Sequence, residues 1–187
     1  MAKRGRLIVI SAPSGCGKTT IAKRLLERNR NLLRSVSYTT RSPRTGEENG
    51  RDYHFISKPE FLRKKRVGFF IESAEVFGRF YGTSKGWIRK QLLGGRNVLL
   101  TIDVQGMKQL RTKMRQGIRM VSIFIMPPSV RVLKSRLAKR QTESKAEIQK
   151  RLKLAEGEMA ARDLYDFTVV NRKIDQAIRE IEDITKL

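Results

Sequence analysis

Residues 7–19 read LIVISAPSGCGKT, and the amphipathic run IAKRLLER follows shortly after. A short apolar run, a turn of small residues and a helical pattern succeed one another. The apolar residues 7–10, bounded by Gly5 and Pro13, predict a buried parallel strand. Ile21 to Glu27 predict a helix. The spacing from Ala12 to Thr19 is A-x-x-x-x-G-K-T. Glycines at such a junction let backbone N–H groups turn inward around an anion, and the helix N-terminus adds partial positive charge. A lysine in the place of Lys18 reaches the β- and γ-phosphates, and a hydroxyl in the place of Thr19 can ligate Mg²⁺. Residues 12–20 (Ala12, Pro13, Ser14, Gly15, Cys16, Gly17, Lys18, Thr19 and Thr20) are therefore expected to cradle the phosphates of ATP or GTP. Ala12 stands where Gly is most common, and its methyl group is tolerable only if its φ is negative.

At 187 residues the chain predicts one compact domain with small inserted lobes. No apolar run approaches a membrane span, and the N-terminus reads as the first strand rather than a signal peptide. The single Cys16 cannot form an internal disulfide, which fits a reducing cytoplasm. Cys16 sits at a helix N-terminus beside Lys18, a setting that favours a reactive thiolate shielded by bound ATP. Lys and Arg number 41 against 18 acidic residues, a net charge of +23. Such a surface draws anionic substrates by its field. Only 7% of residues are aromatic, so stacking on single-stranded nucleic acid is not expected beyond weak, salt-sensitive binding. The sequence does not set an oligomeric state.

Strand patterns recur at 7–10, 98–102, 120–126 and 167–170. Helical patterns occupy 19–29, 84–93, 106–115, 129–140, 144–164 and 174–186. Alternation of this kind predicts an α/β fold, a parallel sheet covered on both faces. Gly- and Pro-rich residues 35–83 break the rhythm and predict a small, largely β lobe. Pro127-Pro128 ends a strand and opens a basic helical segment. The expected division is a P-loop core of 1–35, 87–127 and 155–187, an inserted lobe of 36–86 and a lid of 128–154.

Residues 35–55, SVSYTTRSPRTGEENGRDYHF, make the pattern specific. With FIESAEVFGRFYGTS at 70–84, IDVQG at 102–106, RLAKRQTES at 136–144, EIQKRL at 147–152 and YDFTVVN at 165–171, they resemble the guanylate kinase family over nearly the whole chain. The resemblance implies a P-loop kinase core with a GMP-binding lobe and a helical lid. It also implies Mg²⁺-dependent phosphoryl transfer from ATP to GMP, with dGMP a weaker substrate, in guanine nucleotide recycling. Ser37, Arg41, Arg44, Tyr53 and Tyr81 match the family's grip on the GMP phosphate, and paired planar arginine forks suit a dianion. Glu72 and Thr83 match its guanine readers, since a carboxylate can accept from guanine N1–H and N2–H, a pair adenine lacks. Asp103 follows the strand pattern and points toward the P-loop mouth, where with Thr19 it would serve Mg²⁺ and face GMP. Arg136, Arg140 and Arg151 match lid arginines that, with Lys18 and Arg41, stabilise the transferring phosphoryl group. Asn171 matches a position near adenine.

Two positions depart from the family pattern: Thr101 replaces an acidic residue, and Arg172-Lys173 replace acidic residues after Asn171. A non-catalytic scaffold relative that holds phosphopeptides is disfavoured by the intact Lys18, Thr19 and lid arginines. A kinase for another phosphate acceptor is disfavoured by Glu72 with Thr83.

Overall fold

The computed structural model describes residues 4–113, 118–138 and 145–187, with backbone only at 145–148. A central sheet is formed by β1 (Leu7–Ser11), β2 (Leu32–Arg34), β7 (Asn97–Thr101), β8 (Met120–Met126) and β9 (Phe167–Val170) in the order β2-β7-β1-β8-β9. All its pairings are parallel. β1 lies in the middle and is buried along its whole length. Its side chains alternate between two cores. Ile8 and Ile10 pack with Ile21 and Leu25 of α1 (Lys18–Arg28) and Ile178 and Ile181 of α7 (Ile174–Thr185). Leu7 and Val9 pack with Ile88 and Leu92 of α3 (Lys85–Leu93) and Met107 and Leu110 of α4 (Val104–Lys113). A strand buried on both faces must be apolar throughout, which is why LIVI is a continuous run.

The inserted region forms a second sheet, β4-β3-β6-β5, from β3 (Tyr38–Thr39), β4 (His54–Phe55), β5 (Phe70–Val76) and β6 (Arg79–Ser84). It also contains α2 (Lys58–Arg66), which hydrophobic periodicity alone did not suggest. The local signal was a cap. The Ser57 side chain accepts from Glu60 N–H, and Pro59 occupies the first turn, where its missing N–H costs nothing. From α2, Phe61 is fully buried and stacks on Phe70 at 4.5 Å and Phe80 at 5.5 Å.

The edge of β5 is covered by one stripe of α4. Gln105 donates to Glu75 O, Gln109 exchanges two hydrogen bonds with the Ser73 backbone, and Lys113 donates to Ile71 O. Four helical residues rise about 6 Å and two strand residues about 6.6 Å, so the side chains keep step with alternate residues of the strand.

After β8, α5 (Val130–Ala138) and α6 (Lys145–Ala160) follow, and α6 runs unbroken from the lid segment to the core side of residue 155. Among the described residues no helix is long and apolar enough to cross a membrane.

Phe61→Ala removes the lobe's central ring. It is expected to lower unfolding free energy by about 3–5 kcal/mol in denaturant titrations. A loss under about 1 kcal/mol would place the lobe's stability elsewhere.

Candidate active site

The loop between β1 and α1 requires glycine at two places. Gly15 has φ 89° and Gly17 has φ 85°, both left-handed. Space also decides. A Cβ at Gly15 would stand 3.0 Å from Leu137 of α5, and one at Gly17 would stand 2.9 Å from the Asn171 amide nitrogen. Ala12 is buried and is not among the residues of positive φ, so its methyl group is accommodated.

The loop opens on a cavity of about 360 Å³ at the carboxyl end of the central sheet. The backbone from Ala12 to Thr20, Cys16 excepted, lines one side. Ser37, Tyr53, Glu72 and Tyr81 line the lobe side, and Thr101 and Asp103 lie on the sheet side. Thirteen of the site residues expected from the sequence thus converge on one concavity, with Thr101 beside them.

Glu72 is 3% exposed. It accepts a hydrogen bond from Thr83 Oγ1 at 2.5 Å. A Cβ on Gly106 would lie 2.6 Å from its Oε2, so the first turn of α4 is bare backbone where the carboxylate sits. Burial pushes the Glu72 carboxyl up to about 7. Thr83 and Lys113 oppose the rise, and Asp103 adds to it. Thr83 itself is fully buried and does not line the cavity.

Lys18 donates to Ile102 O at 3.2 Å. Burial lowers its pKa, while Glu158 and Asp103 support its charge. Asp103 Oδ1 accepts from Gly106 N–H at 2.8 Å and so begins α4 while lining the cavity. Its carboxylate and the Thr19 hydroxyl are oxygen donors of the kind a hard cation takes. Among the described residues no cluster of three or more His, Cys, Asp or Glu could hold a metal alone. Mg²⁺ fits this site if phosphate and water oxygens complete its shell.

Arg41 is held in the lobe. Its guanidinium donates to both Glu47 oxygens, at 2.7 and 2.8 Å, and lies 5.4 Å from the Tyr53 ring centre. Hydrogen bonding to Glu47 raises the Arg41 pKa and lowers that of Glu47. Glu47 also accepts from Arg44 N–H at 2.8 Å, which fixes the turn between the two arginines. Neither arginine lines the cavity directly. From α6, Arg151 donates to Ser14 Oγ at 3.1 Å and lies over Phe77, which lines the cavity mouth. Arg136 donates to Asn171 O at 3.3 Å. Arg140 lies outside the described residues.

One expectation is corrected, and a second residue lies deeper than the cavity wall. Cys16 is no reactive thiolate at the cavity wall. It is fully buried in the core beneath the loop, and burial pushes its thiol up to about 12, outweighing Arg136 and Lys18. Asn171 does not line the cavity. It is 1% exposed and donates from Nδ2 to Cys16 O at 2.9 Å, so it supports the loop from below.

Two carboxylates were not singled out from the sequence. Glu47 lies within the arginine-turn motif, three residues after Arg44. Glu158 gave no signal, because the acids of EGEMAARD read as a solvated helix face. It lines the cavity, and Lys18 and the Ser14 N–H favour its charged form. Burial raises its pKa, and Lys18 opposes the rise.

A parallel sheet with a phosphate loop at its carboxyl edge, an inserted lobe and a helical segment over the mouth defines a P-loop kinase fold. The family model for guanylate kinase matches residues 4–186. A guanylate kinase of Wolbachia sp. subsp. Brugia malayi (strain TRS) is 50% identical over 180 residues, covering 96% of this chain and 91% of the relative. One of Dechloromonas aromatica (strain RCB) is 46% identical, covering 97% and 89%. The crystal structure of guanylate kinase from Anaplasma phagocytophilum superposes with a TM-score of 0.81 at 39% identity, covering 99% of this chain and 86% of that one. The chain belongs to the guanylate kinase family.

Two outcomes follow from the buried groups. Cys16 in the folded protein is expected to resist iodoacetamide at pH 8 with or without ATP, and to react only on unfolding. Alkylation on mixing, followed by mass spectrometry, would contradict its burial. For Glu72 the folded pKa lies above the ordinary carboxylate value, so its ionised form costs stability above pH 7, and the cost fades as pH falls toward 4.5. Glu72→Gln should therefore stabilise the ligand-free protein by up to about 3 kcal/mol at pH 8 and by under about 1 kcal/mol at pH 5. Equal effects at both pH values in thermal melts would contradict the linkage.

Proposed function

We propose that this chain transfers the γ-phosphoryl group of ATP to GMP, and more weakly to dGMP, giving ADP and the guanosine diphosphate. The observation that carries the reading is the placement of Glu72, hydrogen-bonded by Thr83, in one cavity with Lys18 and the phosphate loop. A guanine reader and a triphosphate cradle face each other there.

In this reading the loop N–H groups and Lys18 hold the ATP phosphates. Arg41, Arg44, Ser37, Tyr53 and Tyr81 hold the GMP phosphate. Glu47 keeps Arg41 oriented before the substrate arrives, which lowers the ordering cost of binding. Glu72 in its ionised form accepts from guanine N1–H and N2–H, and adenine, which offers no such pair, would leave it buried with Thr83 as its one hydroxyl donor. Arg136 and Arg151 stand beside the loop, and with Arg140 they would place positive charge on the transferring group. Glu158 supports the charge of Lys18, whose lowered pKa would otherwise weaken it. Thr19 and Asp103 would hold Mg²⁺, which would supply charge neutralisation for the transferring phosphates. Asn171 serves the ATP site through the loop it supports. A cytoplasmic enzyme of guanine nucleotide recycling fits the lone buried thiol.

A coupled assay with ATP, Mg²⁺ and GMP, dGMP, AMP, CMP and UMP tests the reading. Turnover is expected with GMP and dGMP alone, and Lys18→Ala should lower kcat by at least about a hundredfold. Comparable rates with AMP would remove the base-reading role of Glu72.

A further inference from the structure

A second cavity, about 650 Å³, lies at the opposite end of the central sheet, where β1 and β8 begin. The length of β1, roughly 16 Å at ~3.3 Å per residue, separates it from the phosphate loop. Phe70, Ile71, Leu92 and Ile118 give it an apolar floor. Its rim is cationic: Arg4 enters β1, Lys85 and Arg89 stand one turn apart on α3, Lys113 ends α4, and Arg119 enters β8. No carboxylate lines it.

The pairing of these cations differs from that of others on the surface. Arg24, Arg28, Arg41 and Arg111 each have a carboxylate partner. Lys113 gives its ammonium to Ile71 O. Arg4, Lys85, Arg89 and Arg119 make no side-chain hydrogen bond or ion pair with any described residue. Four unpaired cations around one concavity repel each other, and an apolar floor leaves less water to screen them. An anion bound there would relieve that repulsion. All four unpaired groups stand on helix or strand-entry positions, three of them are guanidinium groups, and planar arginine forks suit phosphoryl oxygens. The floor adds a place for an apolar or aromatic body. The volume lies within the range of small-molecule sites.

We infer that this cavity is a second anion site, which takes a free, multiply phosphorylated nucleotide, its phosphates on the Arg4, Lys85, Arg89 and Arg119 rim and its base on the apolar floor. A small molecule is favoured over a nucleic-acid strand because the cavity is of single-ligand size and the chain lacks exposed aromatic side chains around it to stack successive bases.

The test is fluorescence titration with methylanthraniloyl-ATP while an adenosine–guanosine pentaphosphate bisubstrate analogue saturates the active site. One further equivalent should bind per chain. The Arg89→Ala/Arg119→Ala double variant should weaken it at least about tenfold and leave turnover with ATP and GMP unchanged, which also shows that the variant is folded. No residual binding in the blocked protein, or residual binding that the double variant leaves intact, would overturn the inference. So would a short single-stranded RNA that binds the blocked protein more tightly than the nucleotide and loses as much in the variant. If the analogue itself fails to bind, the proposed function fails instead. The second site is then counted without blocking, as one equivalent fewer in the double variant than in the unaltered protein.

Discussion

The structure depends on how the edge of β5 is satisfied. β5 is the last strand of the lobe sheet, and its outer backbone groups face α4 rather than another strand. Gln105, Gln109 and Lys113 of one helical stripe serve residues 75, 73 and 71 in turn. An unprotected edge invites pairing with other chains, and covering it with a helix is one of the ways proteins avoid this. Here the cover also joins lobe to core. Glu72 lies between two of the anchored residues, so its carboxylate is carried to the first turn of α4. There Gly106 leaves it room and Asp103 begins the helix.

The energetic consequence is a carboxylate held where water is scarce. A buried carboxyl with one hydroxyl donor is under-served when ionised, and its raised pKa expresses that. Guanine would bring the two missing donors. Guanine binding and relief of the desolvation penalty would then be one event, and specificity for guanine would follow from a cost carried by the empty protein. The phosphate side uses the same economy. Glu47 orients Arg41, Glu158 faces Lys18, and Arg151 bonds Ser14, so each cation is positioned before any phosphate arrives.

Much of this was legible in the sequence for physical reasons. LIVI reads as a strand buried on both faces because only a central parallel strand tolerates an unbroken apolar run. The A-x-x-x-x-G-K-T spacing between strand and helix read as a turn able to cradle phosphate, and Gly15 and Gly17 take the left-handed conformations such a turn needs. The parts that were not legible depend on three-dimensional burial. Cys16 was expected to be a thiolate from its neighbours in sequence, yet its side chain turns into the core, and desolvation outweighs the adjacent cations. Asn171 matched a position near adenine only by resemblance, and nothing in its sequence surroundings shows that it lies buried under the loop. Glu158 sits on a helix whose low amphipathicity hides which face is inward. The helix at 58–66 was not expected, since Phe61 is its one buried residue and hydrophobic spacing gives no signal for it.

The central claim is that Glu72 is a buried carboxyl whose ionisation is completed by guanine. The most direct measurement is the titration of the Glu72 side-chain carboxyl carbon by NMR, in the free protein and with saturating GMP. The account predicts a midpoint near 7 in the free protein, falling by at least about one pH unit when GMP is bound, as two added donors favour the charged form. A midpoint that is ordinary in the free protein, or unmoved by GMP, would contradict it.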